Sequence, residues 1–152
     1  MSNKQSKFEV FDTATRLRDS LTEYIIHDFA VENFGELTST EIWFLEYLRE
    51  HVINNVADLV SNITVANTVY VTSMEEYVER RKYQTLAVAN CYQLVQNLQW
   101  VIDIFKGHIN VEKYMTSMDC VNLEIKLLKG WRKSENKIKK KFLPKSEKTQ
   151  EV

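Results

Sequence analysis

Three glycines and one proline are the only strong chain breakers in this 152-residue sequence. A chain so poor in breakers cannot supply the many tight turns of a β sandwich or barrel, so long helices are favoured. The apolar spacing agrees. Within Ser73 to Phe105, the residues Ala87, Cys91, Leu94, Leu98, Val101 and Phe105 step by four and three, which places all six on one helical face. Ser73 stands three residues before Glu76, the spacing of a capping box at a helix start.

The same period recurs elsewhere. Phe11, Ala14, Leu17, Leu21, Ile25 and Phe29 predict a helix over about 8–32, closed at Asn33-Phe34-Gly35 with Gly35 as a left-handed cap. Leu45, Leu48, Val52, Val56, Leu59, Ile63 and Ala66 predict a second over about 39–67, with Thr38 and Glu41 as its capping box. Thr68 to Thr72 has β propensity but nothing to pair with, and reads as an extended connection. The third helix covers about 74–106. Asn110 caps a fourth over about 111–141, with the stripe Tyr114, Met118, Val121, Ile125, Leu128 and Trp131. Four long helices on short connections predict an all-α, antiparallel up-down-up-down four-helix bundle. It forms one domain over 1–143, with a disordered basic tail over 144–152 behind Pro144.

Most chemistry is missing. No apolar run approaches the ~18 residues that span a bilayer, and the N-terminal MSNKQSKFEVFD lacks the apolar region of a signal peptide. Cys91 and Cys120 have no C-x-x-C spacing and read as free thiols in a reducing cytoplasm. His27, His51 and His108 form no Glu-x-x-His, H-E-x-x-H or R-x-x-x-x-H motif, and the glycines make no phosphate loop. No metal, no cofactor, no membrane contact and no catalytic residue is expected.

The charge distribution is the positive signal. Residues 1–79 hold 5 basic and 14 acidic residues, a net −9, and residues 80–152 hold 15 and 7, a net +8, which together give the −1 of the whole chain. Two basic groups stand out in the second half. Arg80, Arg81 and Lys82 are consecutive, so at most two share a helical face. Lys126, Lys129, Lys133, Lys137 and Lys140 step by three or four, which would make one face of helix four cationic and suited to tracking phosphates. Trp131 and Arg132 can add stacking, although Trp131, behind Leu127 and Leu128, is more readily a core residue. A solvated face and tail is the plain alternative for both groups.

The run R-R-K-Y-Q-x-x-A-x-x-x-C-Y-Q-L-x-Q-x-L-Q-x-V-I-D (Arg80 to Asp103), V-E-K-Y-M (Val111 to Met115) and E-I-K-L-L-K-G-W-R-K-S (Glu124 to Ser134) resemble the Avd family. These are accessory variability determinants of diversity-generating retroelements, four-helix bundles related to proteins encoded in 23S rRNA intervening sequences. The likeness covers roughly residues 75–138, and L-L-K-G-W-R-K-S is its most specific piece. It implies tight packing at Gly130 beside Trp131. It also implies a cytoplasmic, non-enzymatic bundle that assembles as a homo-oligomer, a pentamer, and binds a reverse transcriptase and its template RNA to support mutagenic cDNA synthesis. By that resemblance Arg80, Arg81, Arg132 and Lys133 are the best contacts for RNA or polymerase. A helical protein–protein interaction bundle with no direct nucleic-acid role stays open beside it.

Overall fold

The computed structural model describes residues 3–27, 29 and 31–143, with side chains from residue 7 onward among these. Five helices follow in order: α1 (Asn3–Ile26), α2 (Ser39–Thr68), α3 (Met74–Phe105), α4 (Val111–Ser134) and α5 (Asn136–Lys141). A short 3-10 turn (Phe34–Glu36) precedes α2. No strand occurs among the described residues, and none of their helices is long and apolar enough to cross a membrane.

The four long helices close a ring of contacts, with α2 and α4 each packed against both α1 and α3. The stripes of α2 and α3 are the expected ones. All seven stripe residues of α2 and all six of α3 are at most 1% exposed, and this continuous apolar face is what holds helices of marginal intrinsic propensity in place. Between α2 and α3, Asn55 Nδ2 donates to Asn97 Oδ1 and Asn62 Nδ2 to Asn90 Oδ1, both at 2.8 Å. Numbers climb along one helix as they descend along the other. The expected Thr38–Glu41 capping box is complete, each residue's side chain accepting from the other's backbone N–H. At α3, Ser73 accepts from the Glu76 N–H, but the Glu76 carboxylate reaches one residue further back, to the Thr72 N–H at 3.0 Å.

Several local expectations are corrected. The first helix ends at Ile26 rather than near residue 32, because the chain turns through left-handed backbone at Phe29 (φ 58°) and Asn33 (φ 56°). The turn lets the Phe29 ring enter the core, where it is 1% exposed, while its carbonyl accepts from the Tyr114 hydroxyl. Asn33, which tolerates this conformation, leads into the 3-10 turn, and Gly35, the expected left-handed cap, lies inside that turn; no glycine has a positive φ. Phe11 lies outside the core at 40% exposure, and Val10 occupies the buried position. The expected fourth helix is divided in two at Glu135, whose N–H donates to the carbonyls of Arg132 and Lys133. Gly130 is exposed, and a Cβ there would meet nothing within 4 Å, so the tight packing expected of it does not occur. The tail expected over 144–152 lies outside the described residues.

Candidate nucleic-acid interface

The two basic groups meet different fates, and the interior explains why. The spacing of the α3 core stripe continues backward through Gln84, Arg80 and Tyr77, all buried. The spacing of the α4 stripe continues forward from Leu128 and Trp131 to Glu135, 1% exposed. The two stripes therefore converge on an opposite-charge pair. Arg80 Nη1 donates to Glu135 Oε2 at 2.7 Å, Gln84 Nε2 donates to Glu135 Oε1 at 3.1 Å, and Arg80 Nη2 donates to the Val69 carbonyl. One guanidinium thus ties α3, the α4–α5 junction and the extended connection after α2 together. Lys7 of α1 approaches from the other side, its Nζ 5.9 Å from the centre of the Trp131 ring. Burial, then the nearby Arg80 charge, pushes the Lys7 ammonium below its usual range, while Glu135 pulls it back up.

Arg80 is accordingly an interior residue, and a role for it in touching RNA is corrected: at 6% exposure its donors are directed inward. Arg81 is half-buried and also serves the fold. It lies over the Tyr77 ring, donates to the Tyr77 hydroxyl, and reaches the Arg132 carbonyl at 3.1 Å and Asn136 Oδ1 at 2.9 Å, closing the C-terminal end of α4. Lys82 is exposed, its Nζ 5.7 Å from the Tyr83 ring centre. Trp131 is fully buried, as a core residue.

The second group is on the surface. Lys126, Lys129, Lys133, Lys137 and Lys140 are all exposed. Among the described residues none of them forms a salt bridge. Lys129 Nζ donates to the Tyr92 hydroxyl at 2.7 Å and stands 5.3 Å from its ring centre. Arg132 is half-buried, with Nη1 3.3 Å from Thr85 Oγ1. Lys126, Lys129 and Lys133 share a face of α4. The break at Glu135 interrupts the three-and-four step before Lys137 and Lys140, so these two belong to α5 rather than to a single straight stripe. The surface so formed combines cationic heads with an exposed aromatic ring, the elements from which single-stranded nucleic-acid sites are built.

Two other features bear on chemistry. Glu124 of α4 is 0% exposed, and neither of its oxygens has a hydrogen-bond partner among the described residues. Burial pushes its carboxyl up to about 9, so it is a neutral acid at pH 7. Cys91 and Cys120 are both free thiols raised above their usual range, by burial first and then by the nearby Glu124. At the other end of α1, Ser20, Glu23 and His27 share an open cleft with Tyr24, Lys113 and Thr116. Hydrogen bonds there run from the Tyr24 hydroxyl to the Lys113 carbonyl and from the Thr116 hydroxyl to the Glu112 carbonyl, and none joins Ser20 to His27. Among the described residues no group of three or more His, Cys, Asp or Glu is placed to hold a metal.

Glu124, Glu135 and Gln84 were the residues hidden from an apolar reading, although each falls on the three-and-four spacing of its helix. Comparison with known proteins finds no matching family model, no matching curated protein and no matching solved structure.

Proposed function

We propose that this chain is a non-enzymatic, cytoplasmic accessory protein that binds RNA through the lysine surface of α4 and α5. The carrying observation is that Lys126, Lys129 and Lys133 on one face of α4, and Lys137 and Lys140 on α5, stand exposed and without carboxylate partners among the described residues. Exposed cations without carboxylate partners suit phosphate binding, because each contact gains by releasing a condensed counterion. The likeness of residues 75–138 to the Avd family extends the reading. By it, the chain is an antiparallel up-down-up-down bundle that forms a homo-oligomer, a pentamer. It binds the reverse transcriptase of a diversity-generating retroelement together with its template RNA and supports mutagenic cDNA synthesis. The opposed numbering of the Asn55–Asn97 and Asn62–Asn90 pairs supports the antiparallel arrangement of α2 and α3.

Within this reading Lys126, Lys129, Lys133, Lys137 and Lys140 contact phosphates, with Lys82 and Arg132 at the margin. The diversion of Arg80 and Arg81 into the fold favours a second reading, a protein–protein interaction bundle with no nucleic-acid role. An RNA mobility-shift titration separates the two. The variant Lys126→Gln/Lys133→Gln/Lys137→Gln/Lys140→Gln should retain wild-type helicity and bind RNA much more weakly. Unchanged RNA binding by that variant would move the RNA site away from this surface, and no RNA binding by wild type would leave the second reading.

A further inference from the structure

The face opposite in charge to the lysine surface carries its own unpartnered chemistry. On α2, Trp43 is 63% and Tyr47 42% exposed, and Trp100 of α3 is 43% exposed. These are not scattered rings. Trp43 and Tyr47 stack at 6.3 Å, Tyr47 meets Trp100 edge-on at 6.3 Å, and Phe44 beneath them meets Trp100 edge-on at 5.0 Å. Phe44 in turn stacks on the buried Phe105 at 6.3 Å, so the cluster is seated on the core. Beside it, Trp100 and Asp103 line an open groove with Asn97, Gln96 and Gln99.

The charged side chains on this face are mostly carboxylates. α2 carries Glu41, Glu46 and Glu50 near the rings against a single Arg49, and Asp103 of α3 adds a fourth, with Lys106 following at the helix end and His51 meeting the Tyr47 ring at 4.3 Å. Glu46 and Glu50 follow Trp43 and Tyr47 by one helical turn each, and both are exposed. Exposed Trp and Tyr seated on the core, with a polar rim, are the residues that anchor protein interfaces. Ring faces flanked by carboxylates attract cations, and the planar guanidinium most of all, because it stacks on the ring while pairing with an acid. The same carboxylates repel phosphates, which disfavours a nucleic acid here.

We propose that the Trp43/Tyr47/Trp100 face of α2 and α3 is a docking surface for an arginine-bearing, positively charged segment of a protein partner. The aromatic rings are its anchors, and Glu46, Glu50 and Asp103 are its counter-charges. This site is separate from the lysine surface and stands whether or not that surface binds RNA.

The test titrates the full chain with a fluorescein-labelled amphipathic peptide of arginine and leucine. A counterpart with lysine for every arginine, and an oligo-uridine RNA, are titrated in parallel. Wild type should bind the arginine peptide more tightly than the lysine one. Trp43→Ala/Trp100→Ala, which leaves the charge unchanged, and Glu46→Gln/Glu50→Gln/Asp103→Asn, which leaves the rings unchanged, should each weaken it by more than about tenfold. Both should keep wild-type circular dichroism, native mass and RNA affinity. The lysine-to-glutamine variant of α4 and α5 should keep peptide binding, so failure of the RNA reading and failure of this one are distinguishable. Four results would overturn the proposal: no arginine-peptide binding by wild type, unchanged binding by Trp43→Ala/Trp100→Ala, RNA binding lost in that variant, or a fall in its native mass, which would assign the face to contacts between copies.

Discussion

Arg80 and Glu135 form an ion pair whose side chains are 7% and 1% exposed. Desolvation makes such a pair a poor source of net stability, yet removing one partner strands the other charge. Arg80→Ala should therefore destabilise the chain by about 3–5 kcal/mol in urea unfolding, while Arg80→Leu/Glu135→Leu should recover most of the loss. A double variant no better than the single one would contradict this account of the pair. Glu124 makes a second residue-scale prediction. Its carboxyl is raised from 4.5 to about 9 by burial, so between those values the native state holds a proton that the unfolded chain has lost. Its contribution to stability is complete below the unfolded value and falls as pH rises through the window, by about 1.4 kcal/mol per unit. Glu124→Gln should flatten the fall of unfolding free energy between pH 5 and pH 9 relative to wild type; parallel pH profiles would contradict it. These polar interior residues were legible only as positions. Arg80 and Gln84 extend the spacing of Ala87 and Cys91, and Glu135 extends that of Leu128 and Trp131, but a reading keyed to apolar side chains passes over them. Three adjacent cations at Arg80 suggested a surface, when the charge of Glu135 had drawn one of them inside.

At the level of elements, periodicity and capping chemistry carried far. The α2 stripe was read residue for residue, and Thr38 with Glu41 marked its start, because both signals are local and survive packing unchanged. The ends of α1 and α4 were not legible. α1 stops where burial of the Phe29 ring outweighs the cost of left-handed backbone at a bulky residue, a tertiary effect with no local signature. α4 stops where Glu135 turns inward, although Lys137 to Lys141 would by themselves continue the helix. Gly130 makes the element-scale prediction. It lies exposed inside α4 with open space around its absent Cβ and a φ outside the left-handed region, so Gly130→Ala should stabilise the chain by roughly 0.5–1 kcal/mol. Destabilisation in a thermal melt would restore a packing role beside Trp131.

For the whole molecule, the charge split visible in the sequence becomes a division of surfaces. Glu46 and Glu50 of α2 stand one turn from the exposed rings of Trp43 and Tyr47, and the cations of α4 and α5 form a lysine surface from which Arg80 and Arg81 have been withdrawn. The central claim is that this lysine surface binds RNA phosphates. Its most direct test is the salt dependence of affinity for a single-stranded RNA, measured from 50 to 200 mM salt for wild type and for Lys126→Gln/Lys133→Gln/Lys137→Gln/Lys140→Gln. Each single-strand phosphate contact contributes a slope of about −0.7 in log affinity against log salt, so loss of four should make the slope shallower by roughly 3. Equal slopes for the two proteins, or a wild-type affinity indifferent to salt, would contradict the account.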